Sequence, residues 1–445
     1  MVIIMRIAMM TNNYKPFIGG VPISIERLAT ELRGLGHEVT IFAPSYEGEV
    51  AEEHVIRYHS FKRKVRGEYI IPYVLDPIIE ESFARMSFDL IHVHHPMLIG
   101  YVAQHLGKRY HIPVVLTYHT RYEQYLHYLK FFGKRPVAEF EVQKKESRTK
   151  SGRRLTAIGG EKLVAAHNRI FINKCSLVFA PSESMRDYLL ENGIVTDVEV
   201  VPTGILKEEF DYDPQEAVRL RRSYAGDSKY LFCSVSRLER EKNIEFLLEG
   251  LRDFKARKGD CFKVLLIGDG GRRQMLKEEA RKLGLEQNVI FCGNIHHNQL
   301  RNYYRACNAF LFASTSETQG IVLLEAMAAG LPIVAVEASG VRDVVVNGRN
   351  GYMSENRVCS WTNKLVELTE EEGLSERMQS NAIEDASHYL SADIARKVQK
   401  YYQDVIYQRR MEPEYEYQNI YPVTSWIIPY LPKNHTSDWN NRIKE

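Results

Sequence analysis

The stretch from Ala309 to Val336 constrains the fold more than any other part of the chain. Ala309–Ala313 (AFLFA) is a short apolar run of the kind that fills a buried strand. A polar loop follows. Gly320 then opens a helix that runs through Ala329, with Val322, Leu323, Ala326 and Met327 on its apolar side. Gly330 stands where a left-handed residue closes a helix, and Pro332 prevents continuation. Ile333–Val336 is the next strand. Strand, helix and strand in this order form a parallel pair, and the loop at the carboxyl edge is where ligands bind in such sheets.

The same alternation recurs on both sides. Arg6–Thr11, Glu38–Ala43, Asp89–Val93, Val114–Thr117, Leu177–Ala180 and Glu199–Val201 read as strands in the first half, and Leu231–Ser236, Val264–Ile267 and Val289–Gly293 in the second. Two such runs without an internal repeat predict an α/β protein of two doubly wound, Rossmann-like domains facing across a cleft. The expected division is a first domain at 1–205, a linker at 206–228, a second domain at 229–390, a helix at 391–410 that returns to the first domain, and a tail at 411–445. A length of 445 residues suits two domains, and 44% hydrophobic residues exclude global disorder. A net charge of +2 gives no whole-molecule hint of a partner. No apolar run approaches a membrane span, and the first ten residues are too short for a signal segment. The six cysteines include no C-x-x-C pair, and Cys175, Cys233 and Cys292 sit in or beside apolar runs. They read as core thiols and fit a reducing cytoplasm.

Candidate site residues cluster at the predicted strand ends. Glu317 lies in a loop and Glu325 inside the following helix, eight positions on. A glutamate among apolar neighbours must find a partner, because an unpaired buried charge is costly. Two adjacent hydroxyls of a diol would satisfy it; two solvated or capping glutamates are the alternative. Arg237 and Lys242 follow a strand and precede a helix, a place where cations meet a diphosphate, though surface charge is also common there. Gly19 and Gly20 let backbone approach a ligand and aim a helix N-terminus at it, or else simply make a turn. No G-x-G-x-x-G fingerprint is present, so an NAD site is not expected. Gly268 and Gly270 repeat the strand-to-glycine turn, and Gly293 to Ile295 ends a third strand. His119 lies just beyond Val114–Thr117, a site position in this architecture. The run HVHH at 92–95 suggests metal, but no carboxylate stands at a ligand spacing, and His94 reads as a cleft-edge hydrogen-bonder. Asp211-Tyr-Asp213 precedes Pro214 and reads as a turn or helix cap.

One segment has a different character. Arg121–Phe132 places Tyr122, Tyr125, Leu126, Leu129 and Phe132 on one helical face. Lys130–Arg154 then holds nine Lys/Arg against three Glu, among them Lys144, Lys145, Arg148, Lys150, Arg153 and Arg154. Arg57–Arg66 adds a second basic cluster. This is either a core helix with a solvated loop or a surface that sits on anionic lipid. No nucleic-acid recognition motif accompanies it.

Thr315–Pro332 (TSETQGIVLLEAMAAGLP), with its E-x7-E spacing, resembles the retaining GT-B glycosyltransferases of family four. Within that family, the same segment and HTRYEQYLHY from His119 look like the bacterial 1,2-diacylglycerol 3-glucosyltransferases, which are peripheral membrane proteins. The likeness covers most of residues 5–405 in architecture. It implies that Glu317 holds a donor-sugar hydroxyl and Glu325 the nucleotide ribose. Arg237 and Lys242, as an R-x4-K pair, would carry the donor pyrophosphate. His119 would contact the donor sugar, so that His119, Arg237, Lys242 and Glu317 form the catalytic group. Gly19, Gly20, Gly268, Gly270, Gln319, Gly320 and Ile321 would line the donor, with Gly293 and Ile295 at the nucleobase. Pro202–Ile205 is similar to the family's interdomain turn, with Thr203 and Leu206 in place of the usual Asn and Asp. The implied reaction moves a hexose, glucose from UDP-glucose, to a lipid such as diacylglycerol by front-face attack, with no metal or cofactor. A soluble or polyprenyl-linked glycan acceptor is the rival. A pyridoxal phosphorylase fits less well, and a non-catalytic binding protein is disfavoured by the complete set of Arg237, Lys242, Glu317 and Glu325.

Overall fold

The computed structural model describes residues 4–17, 19–65, 69–121, 164–371 and 373–411, except for the side chains of 62–65 and 69. In chain order the first half contributes β1 (Arg6–Met10), β2 (Glu38–Pro44), β3 (Val55–Tyr58), β4 (Ser60–Val65), β5 (Tyr69–Pro72), β6 (Leu90–Val93), β7 (Val114–Thr117), β8 (Leu177–Ala180) and β9 (Val198–Val200). The second half contributes β10 (Tyr230–Val235), β11 (Phe262–Ile267), β12 (Val289–Gly293), β13 (Ala309–Phe312), β14 (Ile333–Val336) and β15 (Gly351–Ser354). Seven strands form one sheet in the order β3-β2-β1-β6-β7-β8-β9, and six form another in the order β12-β11-β10-β13-β14-β15. Every pairing in both sheets is parallel; β4 and β5 make a separate antiparallel ribbon. This is the GT-B arrangement of two Rossmann-like halves.

Parallel strands buried on both faces become near-continuous apolar runs, and the core shows why. Ile7 and Met9 of β1 face the helix Gly20–Gly34, while Ala8 and Met10 face the helix Ile99–Arg109. In the second sheet Cys233, Leu265, Phe310 and Ile333 pack with the helices His297–Ala306 and Ile321–Ala328. Phe232, Val264, Leu311 and Val334 pack on the other side with Ile244–Lys258 and Val358–Glu370.

The helix Ser391–Met411 returns to the first domain. Its Val398, Tyr402, Val405 and Ile406 share a core with Ile7, Met9 and Phe179, alongside the helix Gly20–Gly34. The chain crosses between domains twice at one place, where Ile205 and Ser391 exchange hydrogen bonds with their neighbours across the crossing. Gly204 is required there, because a Cβ on it would lie 2.4 Å from Ser391 Cα.

The basic cluster expected from Arg57 to Arg66 needs correction at Arg57. That side chain is turned inward, donating to the carbonyls of Lys15 and Pro44 and pairing with Glu52, so it is a clamp rather than a surface charge. Tyr122, Tyr125, Lys144, Lys145, Arg148, Lys150, Arg153 and Arg154 lie outside the described residues, as does the tail from 412. Among the described residues, no helix is long and apolar enough to cross a membrane.

Candidate active site

In open parallel sheets the ligand crevice forms where strand order reverses. The reversals fall at β1/β6 in one domain and β10/β13 in the other, and the loops leaving these four strands carry most of the candidate residues.

In the second domain, the loop after β10 holds Arg237 and Lys242, and the loop after β13 holds Glu317 and Gln319. The Lys242 ammonium donates to Glu317 Oε1 at 2.5 Å. Arg237 Nη2 donates to Glu241 Oε1 at 3.0 Å. Burial pushes the Glu317 carboxyl up, but the Lys242 charge and its hydrogen bond more than offset this and hold it below its usual range. The Glu317 backbone is fixed as well, its carbonyl accepting from Gly340 N at 3.1 Å and Ser339 Oγ at 2.9 Å. Gly268 and Gly270 sit under the loop after β10. Gly268 has φ +128°, and a Cβ there would lie 2.0 Å from Ser236 O; at Gly270 it would lie 2.6 Å from Leu238 O. These glycines therefore serve a backbone-on-backbone contact that brings the two loops together. Gly293 ends β12, and Ile295 follows in the next loop, packed on the second-domain core. Gly320 is left-handed, φ +77°, and caps the helix Ile321–Ala328.

In the first domain, histidines fill the end of β6. His92 uses both ring nitrogens, Nε2 with Thr117 Oγ1 at 2.7 Å and Nδ1 with Tyr402 OH at 2.6 Å. It is therefore a link to the returning helix and not a metal ligand. His94, expected at the cleft edge, is fully buried; its Nδ1 lies 3.0 Å from His119 Nε2, and the two rings stack. Burial drives His119 down to about 3, so it is neutral at physiological pH. Asp213 Oδ1 accepts from the backbone N–H of Gln215 and Glu216 and caps the helix Pro214–Ala225, consistent with a capping role for the D-x-D.

The two domains are stitched at the 317–320 loop. Ser182 Oγ donates to Thr318 O at 2.7 Å, and Thr318 Oγ1 donates to His119 O at 2.9 Å. Gly20 faces Ile321 across the cleft, with the added Cβ position 3.6 Å from Ile321 Cδ1, and Gly19 lies beside Phe17. Gln319, expected to line the donor, is used differently: its Oε1 accepts from Thr203 N at 2.7 Å and its Nε2 donates to Thr203 O at 2.9 Å. Both ends of this amide tie the domains together.

Glu325 is 5% exposed, and its partner is one the sequence did not suggest. Arg27, in the first-domain helix Gly20–Gly34, donates from Nη2 to Glu325 Oε1 at 2.9 Å, and also meets Glu209. His297 Nε2 lies 3.1 Å from the same guanidinium nitrogen and 3.0 Å from Glu209 Oε1. Tyr304 OH is 3.5 Å from Glu325 Oε2. Burial raises the Glu325 carboxyl above its usual range; the Arg27 charge opposes this and the Glu209 charge adds to it. Glu209, His297 and Glu325 offer ligand atoms within 4.8 Å of one another, a set able to hold a cation. Arg27 contacts all three, so the cation here is a guanidinium. A cavity of about 100 Å³ adjoins them, lined by Leu206, Glu209, His297, Tyr304 and Glu325 among others.

The family model described as Glycosyltransferase Family 4 matches residues 18–208, and that described as Glycosyl transferases group 1 matches residues 219–385. The chain belongs to the family-four glycosyltransferases. Among curated relatives of this glycosyltransferase is the alpha-monoglucosyldiacylglycerol synthase of Streptococcus pneumoniae. It is 28% identical over 420 residues, 92% of this chain and 88% of the relative. The protein of the same name from Acholeplasma laidlawii is 25% identical, covering 90% and 98%. Among solved structures, the Anabaena protein HepE in complex with UDP aligns with a TM-score of 0.68 at 20% identity, over 90% of this chain and all of that one. Sucrose-phosphate synthase from Thermosynechococcus elongatus aligns with a TM-score of 0.70 at 18% identity, over 91% of this chain and all of that one. The enzyme thus transfers sugar from a nucleotide sugar, with the facing switch points at its cleft.

Proposed function

We propose that this glycosyltransferase moves glucose from UDP-glucose, with retention at the anomeric carbon, to the free hydroxyl of a diacylglycerol-type lipid. The observation that carries the reading is the full-length similarity to two relatives named as glucosyldiacylglycerol synthases. The basic and aromatic character of 122–154 supports it from the sequence, since such surfaces bind at the headgroup level.

The chemistry asks for stabilisation of a departing diphosphate more than for a strong base. Lys242 and Arg237 would offset the charge growing on the β-phosphate, an electrostatic effect that is often the largest in catalysis. Glu317, held ionised, is suited to accept from a sugar hydroxyl, and Glu325 from the ribose, which is the positioning contribution. His119, held neutral, can offer a hydrogen bond to the sugar while His94 fixes its ring. With two protein cations for the diphosphate, the reaction needs no divalent metal.

The test is incubation with UDP-glucose, and separately with other nucleotide sugars, against diacylglycerol vesicles and soluble glycans. Glucosylated lipid formed from UDP-glucose is the expected product. Transfer to soluble glycans without transfer to lipid overturns the acceptor. Flotation with phosphatidylglycerol vesicles tests the membrane part. Each basic residue near an anionic surface contributes about 1 kcal/mol, so binding at low salt should weaken as salt screens it. It should also weaken when Lys144, Lys145, Arg148, Lys150, Arg153 and Arg154 are neutralised together. Protein that ignores such vesicles at low salt would remove the lipid surface from the reading.

A further inference from the structure

The donor-side carboxylate Glu325 takes its strongest charge partner from the other domain. Arg27 is 4% exposed and Glu325 5%, so water screens their pairing little. Arg27 is itself tightly held: Nη1 donates to Gly204 O at 2.9 Å at the chain crossing, and Nη2 is shared by Glu209 and Glu325. The cavity of about 100 Å³ beside Glu325 offers space next to the pair that a ligand hydroxyl could enter.

We propose that Arg27 is a positioning residue for the donor: from the first domain, it keeps Glu325 in the form that accepts hydrogen bonds and aims it at the nucleotide ribose. This rests on the reading that Glu325 holds the ribose. Ribose hydroxyls donate best to a carboxylate, whereas a protonated carboxyl has given up part of its acceptor capacity. Four groups face Glu325 among the described residues. Arg27, from the helix Gly20–Gly34, favours its ionised form. Glu209, from the linker, disfavours it. His297, from the helix His297–Ala306, favours the ionised form when protonated. Tyr304, from that same helix, is an uncharged hydrogen-bond donor. Burial and Glu209 both push the carboxyl up, so removing Arg27 should move its protonation to higher pH than in the wild type.

The sign follows directly. A carboxylate with a raised pKa loses its ionised form as pH falls through that value, so ribose binding is lost on the acid side. UDP-glucose is the probe, because its diphosphate diester does not titrate between pH 6 and 8. In Arg27→Met, which keeps bulk and removes charge, the dissociation constant measured by calorimetry should rise from pH 8 to pH 6 by about tenfold more than it does in wild type. Arg27→Lys should restore the wild-type profile. His297→Asn in the Arg27→Met background should enlarge the acid loss, because it removes the remaining group that can become a cation. Glu209→Gln in that background should move the loss towards lower pH, because it removes the neighbouring negative charge. A folded Arg27→Met protein with the wild-type pH profile overturns the proposal. If Arg27→Met does not fold, Arg27→Gln decides, since it also removes the charge but keeps a hydrogen-bond donor: a folded Arg27→Gln protein with the wild-type pH profile overturns it. Glu325→Ala separates the two levels. Unchanged UDP-glucose affinity there removes the ribose reading itself, whereas weakened affinity with a wild-type profile for Arg27→Met removes only the role of Arg27.

Discussion

Glu317 and Glu325 stand eight residues apart, on one loop and the helix it leads into, and the protein gives them opposite acid–base characters. Glu317 meets Lys242 from its own domain and is held below the usual carboxylate range. Glu325 meets Arg27 from the other domain, with Glu209 beside it, and is held above that range. The difference is not one of burial alone, since both are largely enclosed. It comes from whether a second carboxylate competes for the counter-ion. Glu317 is thus ionised whatever the first domain does, while Glu325 depends on a residue delivered across the cleft.

The largest expected effect lies on the Glu317 side. Lys242→Ala should lower turnover by about a hundredfold or more, the usual consequence of losing one stabiliser of developing charge. Near-wild-type turnover would show that the Lys242–Glu317 pair is structural only. Next comes Glu325→Ala, expected to weaken UDP-glucose binding by about tenfold to a hundredfold, as for charged hydrogen bonds. If the two variants traded these signatures, with Lys242→Ala sparing turnover and Glu325→Ala sparing affinity, the contrast drawn between the glutamates would be reversed. A smaller effect is expected for Gln319→Leu, which strands the Thr203 N–H and carbonyl and should cost about 1–3 kcal/mol of stability. Denaturant unfolding with an unchanged midpoint would mean that this interdomain tie is replaced by water. The smallest is a chelator, which should leave turnover unchanged under the proposal that Lys242 and Arg237 carry the diphosphate charge. Activity abolished by chelator and restored by magnesium or manganese would count decisively against that.

Much of the fold was legible because parallel strands covered on both faces must be apolar throughout. Ile333–Val336, Val114–Thr117 and Leu177–Ala180 match their expected bounds to the residue. Strands lacking that property escaped notice. Val55–Tyr58 is only partly buried, and Gly351–Ser354 has a polar edge position. The site was legible where it is local, in the loops after β10 and β13. It was not legible where two distant elements meet, as when Arg27 reaches Glu325, or when Gln319 turns to Thr203. A weak signal did exist. Ser24, Arg27 and Glu31 recur at helical spacing in Gly20–Gly34, and all three touch the crossing: Ser24 accepts from Thr203 Oγ1, Arg27 donates to Gly204 O, and Glu31 accepts from Ser391 Oγ. A polar stripe on an otherwise well-packed helix was a sign that something polar had to cross there.

The returning helix has a bearing on how the protein is made. The first sheet ends at Val200, yet Val398, Tyr402 and Ile406, which seal one of its faces, follow about 200 residues later. At roughly 5–20 residues per second a ribosome needs about 10–40 s to reach them. For that interval the nascent first domain carries the Ile7, Met9 and Phe179 side of its sheet without its final cover. His92 likewise waits for the hydroxyl of Tyr402. The half of the molecule synthesised first is therefore the half completed last.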